Sequence, residues 1–178
     1  EVSEKAARLD VLMRIPGMRS FFEQCEYATK WEASTRVMIP IVAESIYKGR
    51  LGEACGRFVL EQNGIAVADI DDAFRFEKFD FVLPGTLGDQ EVFIDFKHWK
   101  KQSDRMGWDS EKLVDWVFAK MEAIDAKKAI VANVLPPDEG DYRETYRSKG
   151  GRRLLVVPAL VKGDCSFDET VIQAIRRF

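Results

Sequence analysis

The chain has 178 residues, of which 46% are hydrophobic and 32% charged, with a formal net charge of −3. This length supports one soluble domain with a sizeable core, and the apolar and aromatic content excludes a disordered chain. The longest apolar run, residues 154–161, falls far short of the ~18 residues that mark a membrane span. The acidic balance excludes a globally basic nucleic-acid binder, though not one with a local basic patch.

A single histidine, His98, excludes any site that needs two, and with it the HExxH zinc hydrolases. Cys25, Cys55 and Cys165 are odd in number, widely spaced and free of any CxxC pattern. They argue against a disulfide framework or a zinc site and for a reducing compartment, so the cytoplasm is the expected site of action. The opening EVSEKAARLD is charged and helical in pattern, unlike a signal peptide. It does not begin with Met, and the expectation is a segment of a longer protein.

In chain order, residues 2–30 predict two short helices. Leu9, Val11, Leu12 and Ile15 recur near a period of 3.6, Pro16-Gly17 breaks the pattern, and Phe21, Phe22, Cys25 and Ala28 form a second stripe. Residues 1–38 are read as a helical extension or linker and 39–178 as the main domain. Pro40 suits the first turn of a long helix reaching about Asn63, with Gly64 closing it. Gly49 and Gly52 weaken that helix and mark a kink or a close backbone approach. The period then changes to two. Residues 65–70 and 75–83 predict strands, the second with Phe79, Phe81 and Leu83 on one face and Lys78, Asp80 and Val82 on the other. After the turn-rich PGTLGDQ, residues 91–97 predict a strand with Val92, Ile94 and Phe96 opposite Phe93, Asp95 and Lys97. Residues 110–126 predict an amphipathic helix with Leu113, Trp116, Val117, Met121 and Ile124 on one face, capped by Asp109 or Ser110. Residues 129–135 and 154–161 predict buried strands, and 169–178 a final helix. The fold class is α/β, a mixed sheet flanked by helices.

The chemistry concentrates in Glu53, Asp80, Asp95 and Lys97. Asp95 and Lys97 share a strand face. If Asp80 opposes Asp95, the hairpin centres between Leu87 and Gly88, inside the turn-rich loop, so the turn permits the register. Opposed Cβ atoms then lie about 4.5–5.5 Å apart. Two carboxylates that close repel unless one keeps a proton or a cation joins them. Hard oxygen donors suit Mg²⁺, with Mn²⁺ as a substitute, and Lys97 stands one step along to hold a water, a set suited to phosphodiester hydrolysis. The triplet alone carries little: 30 acidic residues and 13 lysines produce about two such triplets by chance. The other, Asp125-Ala126-Lys127, sits at a helix end. Only the first lies on an apolar strand with an aspartate at the partner position. The plainer reading of Asp95 and Lys97 is an ion pair, and of Glu53 a solvated helix residue. Glu44, nine residues earlier, points about half a turn away on the helix.

These residues resemble the PD-(D/E)xK nuclease superfamily, over about residues 41–135. KGRLGEACGRFVLEQNGI, residues 48–65, is similar to the first helix of the Holliday-junction-resolvase branch. The resemblance implies a restriction-endonuclease-like core, with Glu53 as the helix glutamate bearing on the metal. It implies Asp80 and Asp95 as metal ligands, the Phe96 carbonyl as a further ligand, and Lys97 as the motif lysine. Phe79 stands where the family's name has proline. The implied activity is Mg²⁺-dependent cleavage, endonuclease rather than exonuclease, with DNA favoured over RNA.

Two segments offer a cationic face. Lys97, Lys100, Lys101 and Arg105 against Asp104 leave a local +3, with Gln102 as a contact to phosphate or metal-bound water, and Trp99 and Trp108 are read as packing residues. Residues 142–153 carry Arg143, Arg147, Lys149, Arg152 and Arg153 against Glu144, a local +4, with Gly150-Gly151 read as a flexible loop. Two other readings stay open. One is an RNase or tRNase toxin domain held by an immunity protein. The other is a non-catalytic nucleic-acid-binding module of a larger machine. A homodimer is a further expected arrangement.

Overall fold

The computed structural model describes residues 11–24, 40–85, 90–97, 110–137 and 143–178. The elements are α1 (Met18–Gln24), α2 (Pro40–Gln62), α3 (Ala73–Phe76), β1 (Phe81–Leu83), β2 (Val92–Lys97), α4 (Glu111–Ala123), β3 (Lys128–Asn133), β4 (Thr145–Lys149), β5 (Arg152–Val157) and α5 (Glu169–Arg177). The strands form one five-stranded sheet in the order β1-β2-β3-β5-β4. The two outer pairings, β1 with β2 and β4 with β5, are antiparallel, and the two inner pairings are parallel. The chain is therefore a mixed α/β protein whose sheet is flanked by helices. Among the described residues no helix is long and apolar enough to cross a membrane.

The sheet separates two apolar layers. Ile94, Phe96, Ile130, Ala132, Leu155 and Val157 face α2 and α5 on one side. Phe93, Ala129, Val131, Leu154 and Val156 face α4 on the other. This alternation is the period-two pattern of β2 and β5 expressed in space. Residues 11–18, placed by the sequence in the helical extension, bury Leu12, Ile15 and Met18 in the first layer. Phe21 stacks on Phe58 at 5.0 Å, and Cys165 Sγ donates to the Val11 carbonyl at 3.4 Å. Cys55 and Cys165 are both free and buried.

Helix α2 runs unbroken through Gly49 and Gly52. It closes at Gly64, whose φ of +69° lets the Ile65 N–H return to the Leu60 carbonyl at 2.9 Å. A close approach lies at Gly56: a Cβ there would sit well inside contact with the buried Phe96 ring, whereas one at Gly49 meets nothing. Overpacking such a contact costs about 1–3 kcal/mol, against about 1 kcal/mol that alanine gains over glycine in a helix. Gly56→Ala is expected to lower the urea midpoint and Gly49→Ala to raise it. Equal shifts in the two would show that α2 does not rest on Phe96.

Three sequence expectations are corrected. Residues 75–83 are not one strand: the Asp72 carboxylate accepts the Arg75 N–H at 2.8 Å and starts α3, so the chain extends only from Phe81. The helical turn resets the phase, and Phe79 is buried with Phe93 and α4 while Phe81 and Leu83 face α2. Residues 65–70 form a single bridge between Ala68 and Val82 rather than a strand. The predicted strand 154–161 stops at Val157, because Pro158 has no N–H to extend the ladder.

Candidate functional site

The β1–β2 ladder pairs Phe81 with Ile94, Val82 with Phe93 and Leu83 with Val92. Carried one step further, this register opposes Asp80 and Asp95, the arrangement that the turn chemistry permits. The Asp80 N–H donates to the Ile94 carbonyl at 3.1 Å. Its side chain then folds over the end of the ladder, where Oδ2 accepts the Phe96 N–H at 2.7 Å. Phe96, expected to contribute its carbonyl, thus bears on the site through its amide.

Asp95 is buried, 2% exposed, on the α4 face of β2. Its Oδ1 accepts from Lys97 Nζ at 2.6 Å and its Oδ2 from Lys120 Nζ at 2.8 Å. Burial pushes the Asp95 carboxyl up, but the two ammoniums outweigh it and hold its pKa below the usual value. The opposite holds at Asp80. Burial first, then the Asp95 charge, raise its carboxyl to about 8; Lys97 opposes this, and Glu53 adds the smallest upward push. Lys120 is lowered by its own burial despite Asp95.

Lys120 is the site residue that sequence reasoning missed. It projects from α4, one turn after Trp116, with its Nζ 4.2 Å from the Trp116 ring centre and 4.7 Å from that of Phe79. A lysine bordering the buried Val117 and Met121 was a readable signal, but the strand residue it would meet was not. Trp116, assigned to the inward face, is 41% exposed and lies beside both lysines, 5.8 Å from Lys97 Nζ. Ser110 caps α4 by accepting the Leu113 N–H at 3.2 Å; the alternative cap, Asp109, lies outside the described residues.

Glu53 stands half-buried on α2, and its Oε2 pairs with Arg50 at 3.0 Å. Among the described residues no three acidic, histidine or cysteine side chains gather closely enough to hold a metal ion. The donor set for a divalent cation is therefore the Asp80–Asp95 pair. Two facing hard carboxylates, one of them carrying a proton up to about pH 8, suit such an ion, which would relieve their repulsion.

Of the predicted nucleic-acid contacts, Lys100, Lys101, Gln102 and Arg105 lie outside the described residues, as do His98, Trp99 and Trp108. The second basic segment is described from residue 143 on: β4 and β5 are joined by Gly150-Gly151, both with positive φ. That is the backbone of a two-residue hairpin turn, which corrects the flexible-loop reading. Arg143 is exposed. Arg147 reaches Glu111 at 3.9 Å, Lys149 reaches Asp115 at 2.9 Å, and Arg152 reaches Asp125 at 3.4 Å. Arg153 donates to the Phe178 carbonyl at 2.8 Å. These partners are solvent-exposed or main-chain groups, and exposed ion pairs contribute little to stability.

The fold and site define a mixed α/β protein with two facing carboxylates and two ammoniums at the end of a β-hairpin. No protein-family model matches the chain, and no curated protein sequence matches it.

Proposed function

We propose that the chain is a metal-dependent nuclease, an endonuclease acting on DNA, built on a restriction-endonuclease-like core. The observation that carries this reading is the facing pair Asp80 and Asp95, one with a carboxyl raised to about 8, with Lys97 one strand-step away. The central mixed sheet flanked by helices is the architecture the resemblance implies, which supports the core assignment. Asp80 and Asp95 would hold Mg²⁺ or Mn²⁺, with Glu53 and the Phe96 carbonyl as the further ligands that the resemblance implies. When bound, such an ion supplies Lewis-acid polarisation of the scissile phosphate and a more acidic water.

The chain's own residues divide the remaining work. Lys97 is 19% exposed and positioned to leave Asp95 Oδ1 for the attacking water or the phosphate oxygens. There its ammonium orients the nucleophile and stabilises the charge that develops as water adds to phosphorus and the leaving oxygen departs. Arg143, Arg147, Lys149, Arg152 and Arg153 provide a cationic edge for the polynucleotide backbone, since a phosphate can exchange for the exposed acidic partners of Arg147, Lys149 and Arg152.

The test is incubation of the protein with supercoiled plasmid, linear duplex and tRNA in Mg²⁺, Mn²⁺ or EDTA. Cleavage of DNA in either metal, none in EDTA and none by Lys97→Ala is expected. Cleavage that persists in EDTA or in the variant defeats the mechanism, and cleavage of tRNA alone moves the substrate to RNA.

A further inference from the structure

Both oxygens of Asp95 are occupied by ammoniums, but the two are not equivalent. Lys120 extends from the last turn of α4, where the neighbouring Val117 and Met121 are buried, and its side chain is 11% exposed. Its Nζ sits at the Phe79 and Trp116 rings, 4.7 and 4.2 Å from their centres. Lys97 is the last residue of β2, is more exposed, and has its Nζ 5.8 Å from the Trp116 ring centre. Withdrawing Lys120 breaks an ion pair and two close ring contacts. Among the described residues, withdrawing Lys97 breaks one ion pair and a distant ring contact.

We propose that Lys120 is a positioning residue, the fixed counter-ion of Asp95, and that by holding Oδ2 it frees Lys97 to leave Oδ1 for a phosphodiester. The inference deepens the nuclease reading and rests on it. A buried carboxylate that loses its sole cation is strongly disfavoured, so a strand lysine that served as the only partner of Asp95 would stay where it is. The second ammonium removes that constraint. A buried aspartate with two lysines is otherwise an excess of cations at one acid, and the ring slot around Lys120 shows which cation is the permanent one.

The experiment compares wild type, Lys120→Met, Lys120→Arg and Lys97→Met. The rate of acetylation of each lysine by acetic anhydride is read by mass spectrometry, and kcat and KM are read on a duplex DNA. In wild type Lys97 reacts faster than Lys120. In Lys120→Met the Lys97 reaction is expected to slow at least about threefold, because Lys97 becomes the only partner of Asp95, and kcat to fall about tenfold with KM little changed. Lys120→Arg is expected to restore both, since a guanidinium keeps the charge and the ring contacts. An unchanged or faster Lys97 reaction in Lys120→Met, or no rescue by arginine, overturns the proposal. Lys97→Met provides an arm that does not depend on how Lys120→Met folds: Lys120 must stay slow to react there, and a fast reaction overturns the proposal. If wild type cleaves nothing, the nuclease reading fails while the acetylation rates still decide the role of Lys120.

Discussion

Asp95→Asn is expected to abolish cleavage, lowering kcat/KM roughly a thousandfold, or about 4 kcal/mol of transition-state stabilisation. The same change is expected to destabilise the fold. Asparagine keeps the shape but removes the charge, leaving Lys120 buried with no carboxylate to answer it. Breaking a buried pair from one side costs about 3–5 kcal/mol. Lys97→Met provides the contrast. Lys97 is more exposed, and Asp95 keeps Lys120, so the melting temperature should move little while cleavage is lost to a similar degree. The pair of results separates the chemistry from the scaffold: one variant loses both, the other loses activity alone. Wild-type cleavage by Asp95→Asn would remove this carboxylate from the reaction, and equal melting temperatures in the two variants would contradict its burial.

The second large effect is on pH. Folded Asp80 holds its proton up to about pH 8, whereas in the unfolded chain an aspartate releases it near pH 4. Between those values the unfolded state binds fewer protons, so the stability of the metal-free protein should fall as pH rises through that window. Asp95 works the other way and below it: its folded pKa is depressed, so its contribution is present above the unfolded value and is lost as pH falls through the folded one. The metal-free protein should therefore be most stable near the bottom of the Asp80 window. Denaturant midpoints from pH 4 to 9 measure this, and Asp80→Asn should flatten the decline. Mg²⁺ binding must displace the same proton, so apparent affinity should rise about tenfold per pH unit up to about pH 8. A metal affinity that does not vary with pH over this range would show that Asp80 is not a ligand.

The hairpin was the most legible part of the chain. The alternation across residues 91–97 and the turn-rich PGTLGDQ together permit a register in which Asp80 meets Asp95, and the ladder from Phe81–Ile94 to Leu83–Val92 has that register. The long helix was legible for the same reason, since Pro40 and Gly64 punctuate it at both ends. Residues 73–79 were not. Their alternating pattern fits a strand, but one cap, Asp72 on the Arg75 N–H, outweighs it locally. The contact at Gly56 was missed because a sequence shows that a helix has several glycines without showing which one meets a ring. Lys120 escaped for a related reason: its partner is twenty-five residues away, and only the crossover that lays α4 on β2 brings them together.

Phe96 links two things usually considered apart. Its ring is the surface on which Gly56 lets α2 settle, and its amide holds the Asp80 carboxylate. The apolar interior and the reactive end of the hairpin thus share a single residue as their hinge pin. Substitutions that merely swell or shrink the middle of this protein should be felt at the carboxylates. Attempts to retune the site are better aimed at the outer rim than at its filling.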